Sequence, residues 1–198
     1  MRFLFSNTFF FVAITSLIKK SLPIRLNPYN INDKTVETQD LSSWKKQIKL
    51  WKEKYPAYLP EYFNQKEKVN PYVFVDALSE DLSEGDIIAV DTGNNLSWTM
   101  QGFKIKKNQK LFSDLGHSSM GYALPASIGA CFANEKKTVI CITGDGGLKM
   151  NMHELETIVK HNLPIKIFLF NNHGYGMIKQ FQDVWFKSEY KASSVEGG

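Results

Sequence analysis

The chain has 198 residues, of which 43% are hydrophobic and 22% charged. That balance supports a packed core and argues against an intrinsically disordered protein. Its 24 basic and 20 acidic residues leave a formal net charge of +4 spread along the length, without the concentrated basic face that nucleic-acid binding requires. The two cysteines, Cys131 and Cys141, sit in apolar runs and form no C-x-x-C pair. This argues against a cysteine-ligated zinc or iron–sulfur centre and for buried free thiols in a reducing, cytoplasmic setting.

Residues 3–18 are mostly apolar and lie between Arg2 and Lys19-Lys20. They superficially resemble a signal peptide. They are short for a membrane span, are interrupted by Ser6, Asn7 and Thr8, and lack a clear small-residue cleavage site, so they read as the remnant of a preceding domain or as sequence from a displaced start. Residues 21–43 are polar and irregular. Ser43 is a candidate cap for a helix whose apolar residues Trp44, Ile48, Trp51 and Tyr55 fall on one face. Pro56 and Pro60 end that helix, and a second linker runs to Lys68. The domain reading is therefore an N-terminal extension and linker over 1–69, followed by a folded domain over 70–198.

From residue 70 the pattern becomes regular. Asn70-Pro71 has the form of a helix start, and Tyr72, Val75, Leu78 and Leu82 supply an apolar face. Gly85 stops it. Ile87–Val90 is a short apolar run, the mark of a strand buried on both faces. A polar loop, Asp91-Thr92-Gly93-Asn94-Asn95, follows. Leu111-Phe112 is a weaker strand candidate. The small residues of 118–134 predict a helix kinked at Pro125. Residues 138–143 (TVICIT) predict another buried strand, ending in a Gly144–Gly147 turn. Met152, Leu155, Ile158 and Val159 predict a helical face, closed by Asn162 and Pro164. Residues 165–170 (IKIFLF) predict a further strand, then Asn171-Asn172-His173-Gly174 and a helix from near Tyr175 towards Phe186. Strands alternating with helices across short loops indicate an α/β fold, a parallel sheet flanked by helices.

Right-handed crossovers lay successive parallel strands side by side, and their carboxyl ends open on one edge of the sheet, where ligands bind. Here that edge carries the GDGG and NNHG loops. The spacing between them leaves room for one helix and one strand, so Asp145 and Asn172 are expected to meet. A carboxylate, an amide oxygen and a backbone carbonyl form an all-oxygen set that suits Mg²⁺ or Ca²⁺ rather than zinc. Gly144, Gly146 and Gly147 remove side chains, so backbone N–H groups are free to approach an anion. Together these parts describe a metal-bridged diphosphate cradle. No G-x-x-x-x-G-K-[ST] is present, and the GDGG turn lacks the third spaced glycine of a dinucleotide fingerprint.

The segment GDGGLKMNMHELETIVKHNLPIKIFLFNNHGYGMIKQFQ resembles the cofactor-binding C-terminal domain of thiamine-diphosphate enzymes, nearest to the acetolactate-synthase-like group. DTGNNLSWTMQ and GHSSMGYALPASIGA extend the resemblance over roughly residues 70–186. The resemblance implies that Asp145 and Asn172 bind Mg²⁺ through their side chains and Gly174 through its carbonyl. It implies that Gly144, Gly146 and Gly147 face the diphosphate, with Gly93, Asn94 and Asn95 on the opposite side, where the family more often carries Gln-His or Cys-His. Met120 matches the hydrophobic wedge beneath the thiazolium, Ser119 and Gly121 flank it near the aminopyrimidine, and Met177 falls near the substrate. Lys149 stands where the family more often has glutamine. His117 and His173 lie in the same loops, as substrate contacts or as ordinary loop residues.

In this family the cofactor attacks a 2-oxo acid and drives loss of carbon dioxide, while the protein supplies geometry and electrostatics. The resemblance thus implies a transferase or lyase, homo-oligomeric when complete. Its activating glutamate belongs to a pyrimidine-binding domain of a partner subunit, and nothing before residue 70 reads as that domain. The chain also stops before the last elements of such a fold. It is therefore expected to be a fragment, or the cofactor-binding subunit of a split enzyme, inactive alone. The remaining reading is a non-catalytic fragment or interaction module.

Overall fold

A computed structural model of the chain describes residues 40–193. The apolar stretch 3–18 and most of the linker that follows it lie outside the described residues. The chain divides at Pro56 into two units. In the first, α1 (Ser42–Lys54) carries the expected stripe, with Trp44 and Trp51 in edge-to-face contact, their ring centroids 5.6 Å apart. Ser43 is not its cap. The helix begins one residue earlier, where Asp40 accepts hydrogen bonds from Ser42 N (2.9 Å) and Ser42 Oγ (3.0 Å).

The second unit begins at Ala57. A short 3₁₀ turn, Pro60–Asn64, occupies the stretch read as linker. It is anchored: Tyr58 Oη donates to Asp76 Oδ1 (2.6 Å), and Tyr62 stacks on Tyr72. Next comes α2 (Pro71–Asp81), whose Asn70 side chain accepts from Tyr72 N at 3.0 Å, as the Asn-Pro signal requires. Then follow β1 (Ile87–Val90), α3 (Asn94–Gly102), β2 (Lys110–Phe112), α4 (Ala123–Ala133), β3 (Val139–Gly144), α5 (Asp145–Met150), a 3₁₀ turn (Met152–Glu154), α6 (Leu155–Lys160), β4 (Ile165–Phe170) and α7 (Gly176–Trp185).

All described strand pairings are parallel, in the order β2-β1-β3-β4. The sheet is sandwiched. On one face Ile88, Val90, Ile140 and Ile142 pack with Leu78 and Leu82 from α2 and its end. On the other, Ile87, Val139 and Cys141 pack with Leu124, Ile128 and Cys131 of α4. Strands buried on both faces explain the unbroken apolar runs IIAV and VICIT. Each fully buried Ile or Val contributes about 1.5–3 kcal/mol of transfer free energy. Cys131 and Cys141 are buried free thiols, and burial pushes the Cys141 thiol up to about 11.

Four elements differ from their sequence expectations. Asn94 and Asn95, read as part of a polar loop, open α3, a helix the sequence reading did not include. The helix expected from Ser118 begins only at Ala123. Positive φ at Ser118 (56°) and Gly121 (84°) makes 118–121 a turn. Pro125 then falls in the helix's first turn, where no N–H partner is owed, so no kink is needed. The Gly144–Gly147 turn is largely the first turn of α5. The helix expected over 152–159 is divided into a 3₁₀ turn and α6, leaving Met152 and Val159 exposed.

Strand register positions the site. Gly144 of β3 lies opposite Phe170 of β4, the last residue of each strand. The following residues therefore start at one level on neighbouring strands, which lie about 4.8 Å apart. β1 stops two rungs earlier, with Val90 opposite Ile142, so its loop rises beside β3.

Candidate functional site

Asp145 opens α5 directly after β3, while Asn172 and Gly174 follow β4. Their side chains and carbonyl meet. One end of the Asn172 amide lies 2.6 Å from Gly174 O and 3.0 Å from Asp145 Oδ1. With the nitrogen at that end the amide donates to both oxygens and every group is satisfied; with the oxygen there, three acceptors would face one another with no proton between them. Nitrogen inward closes the loop on itself, whereas oxygen inward makes a triad that a cation can hold together. Neighbouring ligands on Mg²⁺, each at about 2.1 Å, stand about 3 Å apart in an octahedron. The 3.0 Å approach matches that spacing and the 2.6 Å approach is shorter, so with the amide oxygen inward and a small adjustment at Gly174 the residues present fit a hard divalent cation. Asp145 Oδ2 accepts from Gly174 N at 3.1 Å, tying the two loops together.

A cleft of about 260 Å³ opens beside this triad. Its lining brings together Gly93, Asn94, Asn95 and Met120 with Gly144, Asp145, Gly146 and Gly147, and with Asn172, Gly174 and Met177. The first-turn N–H groups of α5 have no intrahelical partner and remain available to an anion. Crowding explains the glycines. A Cβ on Gly146 would sit 2.4 Å from the Tyr175 ring and 3.3 Å from Met120 Cε, and one on Gly147 2.7 Å from Asp91 Oδ2.

Two expected residues lie elsewhere. Ser119 directs its hydroxyl to Asp114 Oδ2 (2.8 Å), away from the cleft. Gly121 stands behind the cleft rather than in its wall: a Cβ there would meet Gly147 O at 3.1 Å. The two asparagines divide their tasks. Asn94 is half-buried, and its Nδ2 approaches Gly176 across from Asn172. Asn95 is buried and donates from Nδ2 to Asp91 O (2.8 Å), pinning the end of β1. His117, His173 and Lys149 are exposed and do not line the cleft.

Asp91 was missed in the sequence. It is 1% exposed, yet its carboxylate is fully engaged. Oδ1 accepts from Thr92 N (2.8 Å) and Gly121 N (3.0 Å), and Oδ2 accepts from Thr143 Oγ1 (2.9 Å). Burial raises its pKa above the ordinary aspartate value, although these hydrogen bonds pull the other way. A carboxylate closing an apolar strand run was the available signal. The aromatic and aliphatic wall of Trp98, Phe170, Tyr175, Ile178 and Phe181 was missed as well, because loop and helix residues of this kind read equally as core.

Residues 91–197 match the family model described as the C-terminal TPP binding domain of thiamine pyrophosphate enzymes. Among curated relatives, the acetolactate synthase large subunit of Pyropia yezoensis is 34% identical over 185 residues, covering 93% of this chain and 28% of that protein. The acetolactate synthase large subunit of Cyanidium caldarium is 33% identical over 187 residues, 94% of this chain and 31% of its own length. Acetolactate synthase 3, chloroplastic, of Brassica napus is 36% identical over 150 residues, 75% of this chain and 22% of its own length. The chain thus spans less than a third of these relatives. Convergent strand-end loops, a glycine-lined cleft and these matches agree: the chain belongs to the thiamine pyrophosphate enzymes and carries their C-terminal cofactor-binding domain, of acetolactate-synthase-like type.

Proposed function

We propose that this chain holds thiamine diphosphate through Mg²⁺ and forms part of an acetolactate-synthase-like carboligase or decarboxylase acting on 2-oxo acids. The observation that carries the reading is the convergence of the Asn172 amide on Gly174 O (2.6 Å) and Asp145 Oδ1 (3.0 Å), groups that would hold one small cation with the amide oxygen turned inward. In this reading Asp145, Asn172 and Gly174 would hold the cation, which would neutralise the diphosphate's charge. N–H groups of Gly146 and Gly147 would donate to the diphosphate, and Asn94 lines the same cleft from the β1 side. Met120 stands across from Gly146 and supports the folded ring system. Trp98, Phe170 and Met177 line the same cleft and keep water from the reacting carbonyl. Bound there, thiamine diphosphate supplies the electron sink that a 2-oxo acid needs to lose carbon dioxide.

The complete enzyme requires a pyrimidine-binding domain from another chain or another part of the protein, in a homo-oligomer. Placement of the chain in the cytoplasm belongs to the same proposal. Among the described residues no helix is long and apolar enough to cross a membrane. Some relatives carry chloroplastic in their names.

Calorimetric titration of the chain with thiamine diphosphate, with and without Mg²⁺, tests the reading. The expected result is binding that requires the metal and is lost in Asp145→Ala. Metal-independent binding, or no binding by a folded chain, contradicts it.

A further inference from the structure

The turn at Ser118–Gly121 carries Met120 at the mouth of the cleft, yet Met120 itself is 39% exposed and is not held by core packing. The following peptide is held firmly. Gly121 N donates to Asp91 Oδ1 at 3.0 Å, and Gly121 O accepts from Asn151 Nδ2 at 2.9 Å. Asp91 ends β1 and Asn151 follows α5, so the two grips come from opposite sides of the turn. The conformation itself needs glycine. φ is +84°, and a Cβ would lie 2.7 Å from Met150 Cβ and 2.9 Å from Asn151 Nδ2. Asp91 also accepts from Thr143 Oγ1, one residue before Gly144, so one carboxylate ties the Met120 turn to the phosphate-facing loop.

We infer that Asp91 and Asn151 clamp the Gly121 peptide and thereby preset the position of Met120 beside Gly146, against which the cofactor's ring portion folds. Both are positioning residues, since neither lines the cleft. The inference rests on the functional reading above. It separates two contributions: Asn151 acts only on the ring side, whereas Asp91 acts on the ring and the phosphate sides together.

The test compares thiamine diphosphate with inorganic pyrophosphate, both titrated in saturating Mg²⁺ into the full chain. Asn151→Ala removes one neutral hydrogen bond and is expected to weaken thiamine diphosphate roughly five- to tenfold. Pyrophosphate, which has no ring, is expected to stay within about twofold of the unsubstituted chain. Asp91→Asn is expected to weaken both ligands. If Asn151→Ala fails to fold, Asn151→Asp keeps the size, sets oxygen against the Gly121 carbonyl, and carries the same expectation. Equal losses for both ligands in the Asn151 variants, or no loss for either, overturns the clamp alone. If the unsubstituted chain binds pyrophosphate and thiamine diphosphate equally, no ring slot exists and the clamp is overturned. If it binds neither, the functional reading falls and the clamp with it.

Discussion

Asp145 and Asn172 were legible because their chemistry and their spacing could be read together: two strand ends, one crossover, one carboxylate and one amide. Asp91 was not legible. Its partners Gly121 and Thr143 lie 30 and 52 residues away, and no local period links them. Its burial gives a signed expectation. A carboxyl whose pKa is raised on folding contributes stability that is complete below the unfolded value, near 3.8, and is lost as pH rises through the folded value. Asparagine does not titrate. Asp91→Asn is therefore expected to be less stable than the unsubstituted chain, because an amide nitrogen cannot accept from the donors that surround it. The deficit should be largest below that pH and should narrow as pH rises. Thermal melts of both chains across the acid range check this, and a deficit that widens with pH contradicts it.

At the scale of elements, IIAV was read closely because burial on both faces leaves an unbroken apolar run, and it coincides with β1; IKIFLF coincides with β4, a partly exposed strand whose Lys166 breaks the run. Helix starts were read less well. Small residues at 118–122 share the composition of α4, and only the positive φ at Ser118 and Gly121 separates turn from helix. The GDGG segment shows the converse. Glycines that read as a turn form the start of α5, because close neighbours leave no room for side chains. This decides the sign of a substitution. Alanine inside a helix is ordinarily worth about 1 kcal/mol over glycine. At Gly147 its Cβ would sit 2.7 Å from Asp91 Oδ2 and 3.0 Å from Thr143 Oγ1, both buried. Overpacking of that kind costs about 1–3 kcal/mol. Gly147→Ala is thus expected to lower the midpoint of denaturant unfolding, with an unchanged or raised midpoint counting against the packing described.

For the molecule as a whole, the layered α/β arrangement followed from the order of the elements, whereas the strand order did not. β2 lies outside β1 although β1 and β3 also pair, an arrangement that depends on which crossover turns back. The consequence for function is one sheet edge on which three loops meet. The β3 and β4 loops supply Asp145, Asn172 and Gly174, the proposed cation ligands, and the β1 loop supplies Asp91 and Asn94. The exposed apolar residues of α7, Phe181 and Trp185 among them, have no counterpart in the sequence reasoning, because their periodicity predicts a buried face. The central claim is that neighbouring parallel strands deliver three oxygens to one cation. Anomalous scattering from a crystal of the chain grown with thiamine diphosphate and Mn²⁺ tests it most directly. The account predicts one metal peak within about 2.3 Å of Asp145 Oδ1, Asn172 Oδ1 and Gly174 O. A cofactor-bound crystal with the metal elsewhere, or with the Asn172 amide nitrogen turned inward, would contradict it.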